Sequence, residues 1–454
     1  MLRTIVLFLL LWSGLNADAV KEGFEAYQKG NYNKAVLLWQ QAADGGDNVG
    51  LYNMGIVYQD GLGDLKQDLK KAVQYYNKAI EKGHVGAILN LGLLYENGKG
   101  VSKDIPKAMA LYQKAAKKGN SAAMQNLAIM YRFGHGVDKD EKKALSWYQK
   151  AVEKGNADAQ NSLAHFYRNG IMLKRDYAKA VVLFKKSAKN GNAMAKYNLG
   201  QMYEEGQGVT QDKVSAFGYY SEAAHAGNSS AQLKLAQIFE QGDGVKKDSA
   251  ESMQWYLKAA DNGNAEAQVY IGFMYFNGQQ GMKRDVYKAQ QYFTHAAESG
   301  NIDAMRNLGV IYKDGLHNVK KNASKSMKWL KKAALHGDVK SMMFMGQHYS
   351  AAKQYKDAFF WFKKAANGGK VGAQAELARL YETGRGTKVD NKKAISYYMR
   401  AAKKDNLAAQ YYLAIMYYDG RGSKKDMKKA KMWMKKCARA GDADAKAFIK
   451  KYKW

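Results

Sequence analysis

The sequence repeats itself every 36 or 37 residues, and this periodicity limits the fold more than any other feature of the chain. Residues 85–120, VGAILNLGLLYENGKGVSKDIPKAMALYQKAAKKGN, are followed directly by SAAMQNLAIMYRFGHGVDKDEKKALSWYQKAVEKGN. An aromatic residue recurs at one place in every unit, with a single shorter step of 32 residues between Tyr349 and Tyr381. The series is Tyr58, Tyr95, Tyr131, Tyr167, Tyr203, Phe239, Tyr275, Tyr312, Tyr349, Tyr381 and Tyr417. Since no Pro-rich, Ser-rich or low-complexity linker separates the units, the chain is predicted to form one continuous array.

Only glycine or alanine occurs three residues before each aromatic residue. This series is Gly55, Gly92, Ala128, Ala164, Gly200, Ala236, Gly272, Gly309, Gly346, Ala378 and Ala414. Three residues are nearly one turn of a helix, so the small position and the ring lie on one helical face. A position restricted to the smallest side chains predicts close contact between helices, in which a ring fills the space that a missing side chain leaves open.

Turn residues divide each unit into two helices. Glycines such as Gly98 and Gly100 follow the aromatic residue and are expected to end the first helix with a positive φ. Acids such as Asp104 and Asp140 stand where a second helix would begin, a position that favours Asp. The chain has 44 glycines but only one proline, which suits many short helices. Since a hairpin cannot bury both of its faces alone, the sequence predicts an all-α fold, an α/α solenoid of stacked hairpins.

The pattern A-x-x-x-L-G-x-x-Y-x-x-G-x-G-V-x-K-D-x-x-K-A-x-x-x-Y-x-K-A-A resembles the Sel1-like repeat, a relative of the tetratricopeptide repeat. The resemblance implies a right-handed superhelix whose first helices line the concave side. Eleven units of this kind are predicted over residues 48–442. Their ranges are 48–84, 85–120, 121–156, 157–192, 193–228, 229–264, 265–301, 302–338, 339–370, 371–406 and 407–442.

The two ends and one internal unit depart from the repeat pattern. Residues 20–47 resemble a tetratricopeptide-like hairpin that caps the array at its N-terminal end, and residues 443–454 are predicted to form a capping helix at the other. Unit 339–370 lacks the turn glycines, so its hairpin turn resembles that of a tetratricopeptide repeat.

Residues 1–19 are typical of a secretory signal peptide. Arg3 precedes an apolar run from Ile5 to Trp12, and Ala17-Asp18-Ala19 matches an A-x-A cleavage site. Cleavage would leave a mature chain that begins at Val20 and contains no transmembrane segment. We therefore expect an exported protein, in the periplasm of a Gram-negative bacterium or secreted from the cell. The alternative is that this stretch is a buried first helix.

The formal net charge of +31 gives the chain a general attraction to anionic surfaces. Most lysines lie in the second helices and in the loops that join units, as in KAAKKGN and SKKDMKKAKMWMKK. A groove for nucleic acid instead interleaves basic and aromatic residues along one surface, so no specific nucleic-acid partner is expected. The only cysteine, Cys437, stands where sister units have alanine, which indicates a buried small side chain.

No motif for catalysis, for a metal or for a cofactor is present in the sequence, and none of the three is expected. The eight histidines form neither an HExxH motif nor a cysteine-paired motif. Some proteins with Sel1-like repeats are linked to β-lactam binding or hydrolysis, but those relatives carry a cysteine pair in every repeat. A β-lactam enzyme is therefore the weakest of the alternatives for this chain.

The first-helix residues that would line the concave groove are the candidates for binding another protein. The position five residues before the aromatic is rich in asparagine, which can hold the backbone of a bound peptide or can bridge neighbouring helices. In the C-terminal half, aromatic residues replace the small polar ones and predict an apolar contact patch. The candidates are Asn53, Asn90, Asn126, Asn198, Tyr270, Phe273, Asn307, Phe344, Arg379 and Tyr412. The sequence favours a non-enzymatic scaffold that binds a peptide or helix of a partner, with binding to a eukaryotic host protein as the alternative.

Overall fold

The computed structural model describes residues 15–316 and 319–454, and the described chain is all-α. Residues 1–14 of the predicted signal peptide lie outside this part. The helices of the first half are α1 Leu15–Gln28, α2 Tyr32–Asp44, α3 Asn48–Asp60, α4 Leu69–Glu81, α5 Val85–Asn97, α6 Ile105–Lys117, α7 Ser121–Phe133, α8 Glu141–Glu153, α9 Ala157–Asn169, α10 Tyr177–Lys189, α11 Ala193–Glu205 and α12 Lys213–His225. Those of the second half are α13 Ser229–Gln241, α14 Ser249–Asp261, α15 Ala265–Asn277, α16 Val286–Glu298, α17 Ile302–Asp314, α18 Ala323–Leu335, α19 Val339–Ala351, α20 Tyr355–Asn367, α21 Val371–Thr383, α22 Asn391–Ala402, α23 Leu407–Asp419, α24 Met427–Arg439 and α25 Ala443–Tyr452.

Within each of two compact units, the helices form hairpins that stack in chain order, as the sequence predicts. The contacts divide the chain into two compact units, of which the first ends at Ala226 and the second is Gly227–Trp454. The first unit therefore holds helices α1–α12, and the second holds α13–α25. Within the described part of the chain, no helix is both long enough and apolar enough to span a bilayer.

The hairpin turns follow the predicted chemistry. In the second predicted repeat, α5 ends at Gly98, whose φ of 65° lies in the left-handed region that glycine tolerates best. The N–H of Asp104 donates to the carbonyl of Tyr95 at 2.9 Å and thereby closes the turn. The Asp104 side chain then accepts from the N–H of Lys107 and caps α6. A cap of this kind stabilises a helix by about 1 kcal/mol, so the local sequence specifies where each second helix starts.

The small first-helix position is a site of close helix contact, but the ring that fills it comes from the second helix of the same hairpin. A Cβ atom added to Gly200 would lie 2.5 Å from the ring of Tyr220, whose side chain is 1% exposed. Equivalent contacts join Gly55 to Tyr76, Gly92 to Tyr112, Gly272 to Phe293, Gly309 to Leu330 and Gly346 to Phe362. The repeated first-helix tyrosine points elsewhere, towards the N-terminal end of the second helix.

Lysines cover these first-helix tyrosines, because Lys107 places its ammonium 4.2 Å from the ring centroid of Tyr95. The same pairing joins Lys71 to Tyr58, Lys143 to Tyr131, Lys179 to Tyr167, Lys288 to Tyr275, Lys325 to Tyr312, Lys393 to Tyr381 and Lys429 to Tyr417. Each lysine lies in the first turn of a second helix, as predicted for the positive charge. A surface cation–π pair contributes about 0.5–1 kcal/mol, so these lysines also stabilise the hairpins.

Buried polar side chains bind successive hairpins together. Gln268 at the start of α15 donates to the carbonyl of Ala260 at the end of α14, at 3.0 Å, and Gln410 makes the same bond to Ala402. Cys437 is fully buried, as predicted, and its thiol lies 3.4 Å from the carbonyl of Leu407. Burial raises the pKa of this thiol to about 11, so it stays protonated near neutral pH.

The first helix runs without a break through the predicted cleavage site. Ala19 and Val20 are both buried, and the indole N–H of Trp39 in α2 donates to the carbonyl of Val20 at 3.4 Å. At the other end of the chain, α25 supplies Phe448 and Tyr452, whose rings pack around Tyr418. These contacts cover the last hairpin.

The short unit 339–370 turns differently from the others. Ala352 is the C-cap of helix α19, and Lys353 takes the left-handed φ of 59° that glycine supplies in most other units. Gln354 is the N-cap of helix α20 and makes no side-chain capping hydrogen bond.

Candidate functional site

The candidate site is the first-helix face. We define it as the side chains five residues before, two residues before and one residue after the repeated aromatic of each first helix. In α5 these side chains are Asn90, Leu93 and Glu96. They lie next to the point where the buried ring of the second helix reaches the surface.

Buried tyrosines of the second helices present their hydroxyl groups to this face. The hydroxyl of Tyr112 donates to the Glu96 carboxylate at 2.5 Å, and that of Tyr220 donates to Glu204 at 2.6 Å. The same bond joins Tyr256 to Glu240 and Tyr398 to Glu382, and Tyr76 to the amide oxygen of Gln59. Burial, followed by the neighbouring carboxylate, raises the pKa of Tyr112 and Tyr220 far above its ordinary value. These tyrosines are therefore permanent donors, and the carboxylates are already occupied.

The asparagines of the first unit bond to this row of groups. Asn90 donates to the hydroxyl of Tyr76 at 3.2 Å and to that of Tyr52 at 3.4 Å. Asn126 lies beside the hydroxyl of Tyr112 and acts to lower its pKa. Asn198 is 8% exposed and donates to the side-chain oxygen of Asn161 at 3.0 Å. These asparagines therefore bridge neighbouring helices, one of the two roles that their chemistry allows.

Two candidate asparagines differ from these three. Asn53 on α3 is half-buried. Asn307 on α17 has a buried side-chain nitrogen without a hydrogen-bond partner among the described residues. The side-chain amides of Asn53 and Asn307 therefore form no hydrogen bond with the described residues.

Tyr270 and Phe273 stand one turn apart on α15 and rest on rings of the adjoining second helices. Tyr270 stacks on Tyr256 with 3.8 Å between ring centroids, and its hydroxyl donates to Glu240 at 2.8 Å. Phe273 meets Phe293 edge to face at 5.3 Å and stays 36% exposed. Burial and then Glu240 raise the pKa of Tyr270 to about 12. Both rings are half-exposed, so they do not stand wholly opposite the core.

The other candidates of the second unit lie on three further first helices. Phe344 on α19 is half-buried against the core, with the Lys313 ammonium 5.3 Å from its ring centroid. Tyr412 on α23 is 40% exposed and stacks on Tyr398 at 5.8 Å. Arg379 on α21 pairs with Glu376 of the same helix at 2.8 Å. Each candidate ring packs on a neighbouring helix and not on another candidate ring. The candidate rings are therefore separate from one another along the first helices.

A charge inversion marks one part of the face that the sequence analysis missed. The residues after the repeated aromatic are Gln59, Glu96, Arg132, Arg168, Glu204, Glu240, Phe276, Lys313, Ser350, Glu382 and Tyr418. Two successive repeats therefore carry arginine where their neighbours carry an acid or an amide. Comparing this single position across the repeats would have identified them.

Arg132 and Arg168 have different surroundings. Arg168 donates to Gln201 at 2.7 Å and to Gln207 at 2.8 Å, and it pairs with Glu205 at 3.2 Å. The guanidinium of Arg132 lies beside the hydroxyl of Tyr148, whose pKa it lowers, and 4.6 Å from the ring centroid of Phe166. Within the described part of the chain, no carboxylate lies within ion-pair distance of Arg132.

Arg132 borders an open pocket of about 260 Å³ between α7, α9 and α11. The other lining residues are Asn161, Ser162, His165, Phe166, Met194 and Asn198. Burial lowers the pKa of the His165 imidazole, and the charges of Arg132 and Arg168 lower it further. The ring is therefore neutral near pH 7, and the pocket presents one full positive charge among neutral polar groups.

The described residues contain no group of three or more His, Cys, Asp or Glu side chains that could hold a metal ion. Among the described histidines, His84 has the largest pKa shift. Its imidazole caps α5 by accepting from the N–H of Ala87, and the ring stacks on Tyr52. Burial lowers the pKa of His84 to about 4. Its role is that of a helix cap, a position that asparagine takes in seven other first helices.

Comparison with solved structures gives relatives from bacteria. The chain is 31% identical to a protective antigen of uropathogenic Escherichia coli with an SLR fold, over 92% of this chain and 90% of that one, with a TM-score of 0.53. It is 34% identical to a Sel1 repeat protein from Oxalobacter formigenes, over 53% of this chain and 99% of that one, with a TM-score of 0.49. An immunity protein from Pseudomonas aeruginosa is 23% identical over 48% of this chain and 81% of that one, with a TM-score of 0.38.

The search of curated proteins finds no match. The family model of the Sel1 repeat matches the chain twelve times, and one of these matches falls on the N-terminal hairpin. The matched residues are 21–47, 49–84, 85–120, 121–156, 157–192, 193–228, 229–264, 265–301, 302–338, 339–370, 371–406 and 407–442. Together with the identity to the Escherichia coli antigen along most of the chain, these matches show that the protein belongs to the Sel1 repeat family.

Proposed function

We propose that this protein is an exported, non-enzymatic scaffold in the periplasm of a Gram-negative bacterium and that it binds a segment of another protein along the first-helix face. The observation that carries the proposal is the set of half-exposed rings in the second unit. Phe273 and Tyr412 keep 36% and 40% of their surface exposed while their remaining surface packs on buried rings. Aromatic side chains of this kind dominate the energetics of protein interfaces.

The half-exposed rings of the second unit are held in place by contacts within the chain, which supports the proposed binding role. Tyr270 is fixed by its stack on Tyr256 and by its hydrogen bond to Glu240. A side chain that is already ordered loses little conformational entropy when a partner binds. The rings therefore form a preorganised apolar surface.

A second candidate is a secreted or surface protein that binds a eukaryotic host protein. It is favoured by the similarity to a protective antigen of uropathogenic Escherichia coli. Cell fractionation separates the two candidates, because a periplasmic scaffold is released with the spheroplast supernatant and a secreted protein is recovered from the culture medium. Mass spectrometry of the same fractions should find a mature chain that begins at Val20.

Site-specific photo-crosslinking in living cells tests the binding surface. The photoreactive residue p-benzoylphenylalanine would replace Phe273 on α15 in one variant and Tyr287 on α16 in the matched control. Tyr287 belongs to the same hairpin and is 53% exposed, but it lies on the second helix. We expect a protein adduct from position 273 and none from position 287. Adducts from position 287 alone would place the partner on the second-helix surface and contradict the proposal.

The enzymatic alternative has its own test. Purified protein would be incubated with a β-lactam, and hydrolysis would be measured at a large excess of substrate. We expect no turnover beyond one equivalent, because the described residues contain no clustered set of His, Cys, Asp or Glu side chains of the kind that a metal-dependent hydrolase needs.

A further inference from the structure

We propose that the pocket between α7, α9 and α11 binds the side-chain carboxylate of an aspartate or glutamate in a peptide segment that lies on the first-helix face of the first unit. The inference deepens the proposed function and rests on it, because it names the chemistry of one subsite. The groups that would receive the carboxylate are Arg132, Ser162 and His165.

Arg132 stands at an array position where other repeats carry glutamate. In four other hairpins a glutamate accepts the hydroxyl hydrogen of the buried tyrosine, as Glu96 does from Tyr112 and Glu204 does from Tyr220. Arg132 occupies the glutamate position and lies beside the hydroxyl of Tyr148, whose pKa it lowers. Glutamate fills this position in hairpins of the same design, so the contact with the buried tyrosine does not require an arginine.

Among the described residues, the charge of Arg132 has no ion-pair partner. Arg168 on α9 pairs with Glu205, and Arg421, in the turn after α23 of the second unit, pairs with Glu382 at 2.5 Å and with Asp419 at 3.1 Å. Arg132 is half-buried and makes no ion pair within the described part of the chain. A half-buried cation without a counter-charge favours an anionic ligand, because charge-assisted hydrogen bonds are stronger than neutral ones.

The geometry of the pocket beside Arg132 also fits a carboxylate. The ring of Phe166 lies against the guanidinium, so the plane of Arg132 is held in place beside the pocket. Arginine presents its donors as a planar fork that matches the two oxygens of a carboxylate. The hydroxyl of Ser162 and the imidazole of His165 line the same pocket and add hydrogen-bonding groups around the bound oxygens.

The charge of the pocket favours a monoanion over a phosphate group. With His165 neutral near pH 7, Arg132 supplies one positive charge, which balances a carboxylate but not a phosphate dianion. The proposed ligand is a side chain rather than a chain terminus, because the proposed partner segment lies along the first-helix face. The ligand class is therefore an acidic side chain within an extended peptide.

Nuclear magnetic resonance of the full chain tests the subsite directly. The protein would be labelled with 13C at the histidine Cε1 position, and the His165 signal would be assigned by its loss in His165→Gln. The probe is N-acetyl-glutamate α-amide, with N-acetyl-glutamine α-amide as the neutral control. N-acetylglycine represents a terminal carboxylate, and inorganic phosphate represents the dianion. We expect the glutamate probe to shift the His165 signal saturably below about 50 mM and to bind at least tenfold more tightly than the glutamine probe.

Two variants make the test specific. Arg132→Glu reproduces the pairing that Glu96 makes with Tyr112, so it should fold, and it should weaken the glutamate probe at least tenfold. Arg421→Gln removes an arginine that is already paired and should leave binding at the His165 site unchanged. The helical circular dichroism signal and melting temperature of both variants verify the fold.

The outcomes separate the alternatives. Equal binding of the glutamate and glutamine probes, no saturation below about 50 mM, or unchanged binding in Arg132→Glu overturns the carboxylate subsite. Tighter binding of N-acetylglycine or of phosphate also overturns it, in favour of a terminal carboxylate or a phosphate group. The crosslinking from position 273 depends on none of these results, so a failed subsite and a failed scaffold function remain distinguishable.

Discussion

The first-helix faces around Tyr148 in the first unit and Tyr398 in the second unit are built from the same parts but differ in charge. The Tyr398 hydroxyl donates to Glu382, and Arg421 pairs with that same carboxylate, so the charges are balanced within the chain. Arg132 lies beside the Tyr148 hydroxyl, and no carboxylate among the described residues pairs with it. Because the ring and its surroundings are repeated, one residue per hairpin is enough to change the charge of the face. A repeat array can in this way vary its binding surface without altering its core.

The largest expected effect comes from breaking the packing that both faces share. Gly200→Leu should lower the free energy of unfolding by about 3 kcal/mol or more, because its Cβ atom would lie 2.5 Å from the ring of Tyr220. Gly218→Leu is the matched control, since nothing lies within 4 Å of the Cβ position of Gly218 on the neighbouring helix α12. Urea unfolding followed by circular dichroism measures both variants. Equal stability of the two variants would refute the close-contact role of the small position.

Exchanging the charges of the two faces should give opposite results. Glu382→Arg should destabilise the protein by about 2–3 kcal/mol, because it leaves Arg421 beside a second positive charge. Arg132→Glu should leave stability unchanged or raise it, because the new carboxylate would accept the Tyr148 hydroxyl as Glu96 accepts that of Tyr112, with the positive charge of Arg168 nearby. Thermal unfolding of the two variants under identical conditions is the measurement. A comparable loss in both variants would show that the faces do not differ in this way.

The acid sensitivity of the first unit should depend on His84. Its pKa is lowered to about 4 in the folded chain, against 6.5 for an exposed imidazole, so the unfolded chain binds the proton more tightly. Stability from the neutral cap is therefore complete above about pH 6.5 and is lost as the pH falls towards 4. Between pH 7.5 and pH 4.5 the wild type should lose about 2 kcal/mol more than His84→Asn, which keeps the cap but cannot titrate. Parallel pH dependences of the two proteins would contradict this assignment.

Removing two half-exposed rings should weaken partner binding without unfolding the second unit. Phe273→Ser together with Tyr412→Ser should reduce partner capture at least tenfold, about 1.4 kcal/mol, because exposed aromatic anchors dominate interfaces. The matched control replaces Tyr287 and Phe360, which are 53% and 46% exposed on second helices. Quantitative crosslinking against the identified partner gives the binding result, and circular dichroism verifies the fold. Loss of capture in the control pair as well would move the binding site to the second helices.

The smallest effect is a change in the titration of His165. Its pKa is lowered by burial and then by the charges of Arg132 and Arg168, so Arg132→Glu should raise it. The pKa of His84 should not respond, because its lowering comes from burial. Titration of the histidine Cε1–H signals measures both in one experiment. An unchanged pKa of His165 would show that Arg132 does not face the imidazole across the pocket.

Much of the architecture was accessible from the sequence because its determinants are local. The turn glycine Gly98, the cap Asp104 and the lysine at Lys107 act within a few residues of one another, and the structure has them where the pattern predicts. The small residue that recurs with the period, such as Gly92 or Gly200, indicates a close contact between helices. No turn or helix cap within the repeat requires a small residue there.

Only the tertiary structure decided the chemistry of the first-helix face. The sequence could not show that Asn90 would be bound by the hydroxyl groups of Tyr52 and Tyr76, since these contacts cross between helices. Nor could it show that Arg168 pairs with Glu205 in the next repeat while Arg132 pairs with no carboxylate of the described residues. Local sequence determines backbone turns and helix ends through bonds that span three or four residues. The charge and polarity left open at a surface depend on side chains that only stacking brings together, and that physical difference separates what was predictable here from what was not.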